Sequence, residues 1–106
     1  MLDKNEVREI ARKYSDEVLK MLSPEKIILF GSYVNGVPHE WSDIDIAVLV
    51  NNVKDDDWYY TWTQLAGLVR KADCIEVEPH LMNPDYDPSG FVEHVIKTGE
   101  VIYQTT

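Results

Sequence analysis

The chain has 106 residues with 44% apolar and 27% charged side chains, which suits one small globular domain and leaves no room within these residues for a separate acceptor-binding domain. Nineteen acidic against ten basic side chains give a net charge of −9, which argues against a phosphate-backbone footprint, hence against duplex DNA, and suits divalent cations or a basic protein partner. Cys74 has no second cysteine to pair with, no run of about 18 apolar residues offers a membrane span, and the start lacks a basic-then-apolar leader, so a reducing, cytoplasmic setting is expected. A domain this small buries only about two-thirds of its unfolded surface, so a partner chain or a second copy in a homo-oligomer would add stability.

From Asp3 to Leu22, the residues Val7, Ile10, Ala11, Tyr14, Val18 and Leu22 recur at helical steps, and Ser23-Pro24 stops the helix. The short apolar run Lys26 to Phe30 reads as a buried strand ending at Gly31, and Gly31 to Ser42 is turn-rich. Ile44 to Val50 reads as a second buried strand. Asp55 to Asp57 open a helix whose Trp58, Trp62, Leu65 and Val69 lead to the basic end Arg70-Lys71. Cys74 to Glu78 is expected as a third strand ended by Pro79. Asp87-Pro88 is expected to begin a helix with Phe91, Val92, Val95 and Ile96 on its apolar stripe, and Val101 to Tyr103 a fourth, edge strand. The order predicts an α/β (α+β) fold, a small mixed β-sheet with helices packed on it.

Ser42-Asp43-Ile44-Asp45-Ile46 is the most unusual segment, because two carboxylates two residues apart on a strand share one face while Ile44 and Ile46 take the other. Without a cation, repulsion between them drives one toward protonation; with Mg²⁺ they become oxygen ligands beside substrate phosphates. Taken alone, the tripeptide also reads as the surface cap of a strand. Upstream, a strand ending in Phe30-Gly31-Ser32 offers backbone N–H groups and a hydroxyl to an anion, although Gly-Ser alone also reads as a tight turn. The conjunction is the informative feature: strand, Gly31-Ser32, ten residues, then Asp43-Ile-Asp45 opening a second buried strand.

Leu29-Phe-Gly-Ser32 followed by Ser42-Asp-Ile-Asp-Ile-Ala-Val48 resembles the signature of the minimal nucleotidyltransferases (MNT), small relatives of the DNA polymerase beta superfamily. The likeness extends through Glu78-Pro79-His80 to Gly99-Glu-Val-Ile-Tyr103, so residues 1–106 are expected to form a single minimal nucleotidyltransferase domain. The resemblance implies ATP or another nucleoside triphosphate as donor, Mg²⁺ in a two-metal site, and transfer of a nucleotidyl group to a hydroxyl with release of pyrophosphate. By it, Gly31 and Ser32 bind the triphosphate, Asp43 and Asp45 hold the metals, and a third carboxylate from a neighbouring strand holds metal or takes the acceptor proton. Glu76 and Glu78 both qualify by sharing a strand face; Glu78 is favoured because family members carry Glu-Pro-His there. The resemblance also implies a helical HEPN-type partner, with the chain as antitoxin of a HEPN/MNT toxin–antitoxin pair that adenylylates its partner. The alternative is a non-catalytic module that binds nucleotide and metal and neutralises its partner by contact.

The sequence departs from the family where Gly-Ser-Arg-x-Arg-Gly is usual: Gly31-Ser32 is followed by Tyr33-Val34-Asn35-Gly36, with no cation for the triphosphate. Lys26, Lys54, Arg70 or a partner's basic residue are the substitutes to weigh. His39 reads as a loop residue or a nucleotide contact, His80 as a residue bordering the site, and His94 as helix surface, with no zinc-ligand spacing among them. Trp41 reads as a loop anchor or a base-stacking surface; Trp58 and Trp62 read as core or interface residues.

Overall fold

A computed structural model of the protein describes residues 2–38 and 42–105. Helix α1 (Lys4–Leu19) starts at a capping box, in which Asp3 accepts from the Glu6 N–H and Glu6 accepts from the Asp3 N–H, so two otherwise unpaired donors are satisfied reciprocally. It ends three residues before Leu22, earlier than its periodicity suggests. Strand β1 (Lys26–Phe30) leads into the four-residue helix α2 (Ser32–Asn35), and β2 spans Ile44–Leu49. Helix α3 (Asp55–Lys71) has three aspartates in its first turn and Arg70-Lys71 in its last, matching the helix dipole at both ends. Strand β3 (Val77–Met82), helix α4 (Phe91–Thr98) and strand β4 (Glu100–Gln104) complete the chain.

The four strands form one sheet in the order β3-β2-β1-β4, with β1 antiparallel to both β2 and β4, and β2 parallel to β3. Parallel neighbours need a long crossover, and α3 supplies it. Period two then sorts the side chains onto two faces. Ile27, Leu29, Ile44, Ile46 and Val48 meet Val7, Ala11, Tyr14 and Val18 of α1 and Leu65 and Leu68 of α3 in the main core. Ile28, Phe30, Ala47, Leu49 and Met82 meet Val92 and Val95 of α4. Eight residues are too few for a stable isolated helix, so α4 depends on burying those two valines, each contributing roughly 1.5–3 kcal/mol.

Two expectations need correction. The third strand is not Cys74 to Glu78: residues 72–76 form a turn, and β3 starts at Val77 and runs through Pro79 to Met82. The Ile44 N–H donates to the Glu76 carbonyl and the Val50 N–H to the Met82 carbonyl, so the even-numbered residues turn their backbone toward β2. Pro79, which has no N–H, therefore faces the open edge, where the sheet demands no donor. The last helix begins at Phe91 rather than at Pro88, because Gly90 adopts a left-handed conformation (φ 77°) just before it. Asp87 still caps this helix across the turn, its two carboxylate oxygens accepting from the Val92 and Glu93 N–H groups, each at 3.0 Å.

Candidate active site

The site lies on the α4 face of the sheet, where β1 ends and β2 and β3 begin. At the end of β1 the chain turns sharply at Gly31 (φ 86°, ψ −155°), a conformation open to glycine and unfavourable for other residues. A Cβ at this position would run into the Asp45 carboxylate, so the Gly31 backbone lies directly against that side chain. Ser32 then opens α2, whose Val34 and Asn35 N–H groups both donate to the Gly31 carbonyl.

Asp45 stands opposite Phe30 in the antiparallel register and opposite Glu78 in the parallel one; the next position along that face pairs Ala47 with His80. One ligand atom from each of Asp45, Glu78 and His80 lies within 4.8 Å of the other two. His80 Nε2 is 3.1 Å from Asp45 Oδ1. The imidazole packs edge-on to Phe30, with ring centroids 5.0 Å apart, and Phe30 packs edge-on to Phe91 of α4 at 6.0 Å. The second core therefore continues into the site and holds His80 from behind.

Asp43 precedes β2 rather than lying in it, and it is exposed. It reaches the cluster through Glu78: their shared hydrogen bond pushes the Glu78 pKa up, burial and the charges of Asp45 and Asp43 push the same way, and His80 pulls against them. The carboxyl raised by its acidic neighbours is thus Glu78 on β3. Glu76 lies in the turn before β3, not on a shared strand face with Glu78, and its carbonyl is taken up by the Ile44 N–H. Two carboxylates and an imidazole, those of Asp45, Glu78 and His80, converge within cation-ligating distance of one another and match the donor set of a divalent cation.

Of the cations weighed for the triphosphate, Lys26 starts β1 at the end of the sheet away from Gly31, and Lys54 lies beyond the far end of β2. Arg70 is in the last turn of α3, which packs on the opposite face. His39 and Trp41 lie outside the described residues. Trp58 packs partly buried against the main core, whereas Trp62 is 41% exposed beside Tyr59. His94 is exposed on α4, stacked on Phe91. Sequence reasoning placed His80 only at the border of the site; the available signal was its spacing of two from Glu78, which puts both on one face of a strand.

A mixed four-stranded sheet with a Gly-Ser corner ending one inner strand and acidic side chains on the next is the plan of a nucleotidyltransferase. The chain belongs to the polymerase beta nucleotidyltransferase family, whose model, "Polymerase beta, Nucleotidyltransferase", matches residues 5–106. It is 43% identical over 44 residues to the Methanocaldococcus jannaschii "Putative protein adenylyltransferase MJ1215", a match covering 42% of this chain and about half (51%) of that relative. A solved "toxin-antitoxin with AMP-PNP" has a similar chain, with a TM-score of 0.61 and 27% identity over 90% of this chain and 74% of that one. A chain of the solved complex of "tri-AMPylated Shewanella oneidensis HEPN toxin in complex with MNT antitoxin" shares the fold, with a TM-score of 0.54 and 23% identity, covering 92% of this chain and 73% of that one. No described helix is long and apolar enough to cross a membrane.

Proposed function

We propose that this domain transfers AMP from ATP to a hydroxyl of a helical HEPN-type partner, acting as the antitoxin of a cytoplasmic toxin–antitoxin pair. The observation that carries this reading is the Asp45–Glu78 cluster set directly against the Gly31 backbone, which puts cation ligands beside a phosphate-accepting corner. The name of the M. jannaschii relative supports protein adenylylation; the AMP-PNP complex and the AMPylated HEPN toxin support donor and partner.

In this reading Gly31 and Ser32 bind the triphosphate through the exposed backbone of the corner, and Asp43, Asp45 and Glu78 hold Mg²⁺. When bound, the metal supplies positive charge against the phosphates, in a site whose own strand-borne groups are acidic. The acceptor oxygen forms a bond to the α-phosphorus, the bond from that phosphorus to the bridging oxygen breaks, and pyrophosphate leaves. The acceptor's proton passes to solvent water, because the three carboxylates are occupied as cation ligands. Because Tyr33-Val34-Asn35 brings no cation to the triphosphate, the metal and a basic residue of the partner take that part.

The same missing cation favours the second reading, a nucleotide-binding module that neutralises its partner by contact alone. The test is transfer of label from α-labelled ATP to the protein encoded beside this one, comparing the native chain with Asp43→Asn/Asp45→Asn. Label on the partner with the native chain only establishes transfer. An intact complex without label, still neutralised by the double variant, establishes the contact reading.

A further inference from the structure

The carboxylates of this site have an imidazole among them, and its placement is not casual. Period two on β3 puts His80 on the face of Glu78, and the parallel register sets it one step along from Asp45. Its Nε2 lies 3.1 Å from Asp45 Oδ1. Two donors at right angles around a small dication, each about 2.1 Å from it, lie about 3 Å apart, so this separation is that of neighbouring ligands on one ion. The ring is held from behind by Phe30, itself packed on Phe91, so little side-chain freedom remains to be lost on binding.

We infer that His80 adds a nitrogen ligand to the Asp45–Glu78 cation site and thereby makes the site select manganese-type dications over Mg²⁺. The inference rests on the metal-binding reading above. Its chemical reason is ligand preference: Mg²⁺ takes oxygen donors and keeps its waters, whereas an imidazole nitrogen raises affinity for later, softer divalent ions. The competing role for His80 is orientation alone, with an Nε2–H donated to Asp45 and no contact with the ion.

The experiment binds Mn²⁺ to the full chain, with and without a non-hydrolysable ATP analogue, and reads free Mn²⁺ by electron paramagnetic resonance, with Mg²⁺ measured by competition. His80→Gln keeps an amide able to bond Asp45 but removes the imidazole nitrogen. Expected are tighter binding of Mn²⁺ than of Mg²⁺ by the native chain, a loss of about 10- to 100-fold in Mn²⁺ affinity in His80→Gln, and a smaller loss for Mg²⁺. Spin-echo modulation from a histidine ¹⁴N on bound Mn²⁺ is the direct signature. It should vanish when the native chain carries ¹⁵N-histidine, a control that needs no substitution and survives a variant that fails to fold. Mn²⁺ bound without nitrogen modulation, or equal losses for both ions in His80→Gln, overturns the inference and leaves the metal reading standing. Failure of the native chain to bind either ion, or binding unchanged by Asp45→Asn, overturns both.

Discussion

The backbone of Gly31 and the carboxylate of Asp45 are packed so closely that no side chain fits between them. The corner at the end of β1 and the acidic start of β2 are therefore one mechanical unit. Gly31→Ala meets two penalties: a positive φ, and a Cβ directed at Asp45. The expected result in urea denaturation is a loss of about 1–3 kcal/mol. Divalent-cation binding should fall with it, since Asp45 must move. A Gly31→Ala chain of native stability and cation affinity would show that the contact is not held in solution.

Glu78 predicts an unusual pH dependence for the metal-free protein. Its folded pKa is raised above the ordinary value of 4.5, first by the hydrogen bond with Asp43. A raised carboxyl contributes stability that is present below the unfolded value and lost as pH rises through the folded one. Thermal unfolding in chelator should therefore show Glu78→Gln melting above the native chain at neutral pH, with the gap closing in acid. Added divalent cation should raise the melting temperature of the native chain and leave Asp45→Asn unmoved.

Arg8 and Glu100 have the opposite sign. Arg8 Nε and Nη2 donate to the two oxygens of Glu100 at 2.8 and 2.9 Å, tying α1 to the start of β4. That bond holds the Glu100 pKa below 4.5, with smaller contributions from the Arg8, Arg12 and Lys4 charges working against desolvation. A depressed carboxyl contributes stability above its unfolded value that is lost as pH falls through the folded one. Glu100→Gln should lower the melting temperature slightly at neutral pH and leave it unchanged well below the folded pKa; an equal difference at both ends of a pH series would refute the ion pair.

The Tyr14 hydroxyl, fully buried, donates to the Leu65 carbonyl at 2.7 Å and joins α1 to α3. Burial raises its pKa, so it remains a neutral donor. Tyr14→Phe keeps the ring in the core and removes only this bond, and chemical denaturation should show a loss of about 1 kcal/mol. No loss would mean that water or a shift of α3 satisfies the Leu65 carbonyl.

The long helices and the two inner strands were legible because each carries its pattern in consecutive residues: helical spacing from Val7 to Val18, and unbroken apolar runs at Ile27 to Phe30 and Ile46 to Leu49. The misplaced third strand shows where that logic stops. Pro79 reads as a terminator in sequence, yet β3 is an edge strand and the proline faces its open side. Likewise Asp87 was legible as a cap, but the left-handed turn at Gly90 moved the helix it caps three residues onward.

By itself, the sequence determined the two long helices, the two inner strands, the Gly31-Ser32 and Asp43-Ile-Asp45 motifs and the acidic balance, because propensity, periodicity and charge are local properties of the chain. Only the tertiary structure decided that Asp45 meets Glu78 and His80, that Asp43 stands exposed before β2, and that Lys26 and Lys54 stand at the end of the sheet away from Gly31. Those relationships depend on the parallel register of β2 with β3, set by how α3 crosses over and packs on the core. A shift of one residue there would turn Glu78 and His80 to the opposite face.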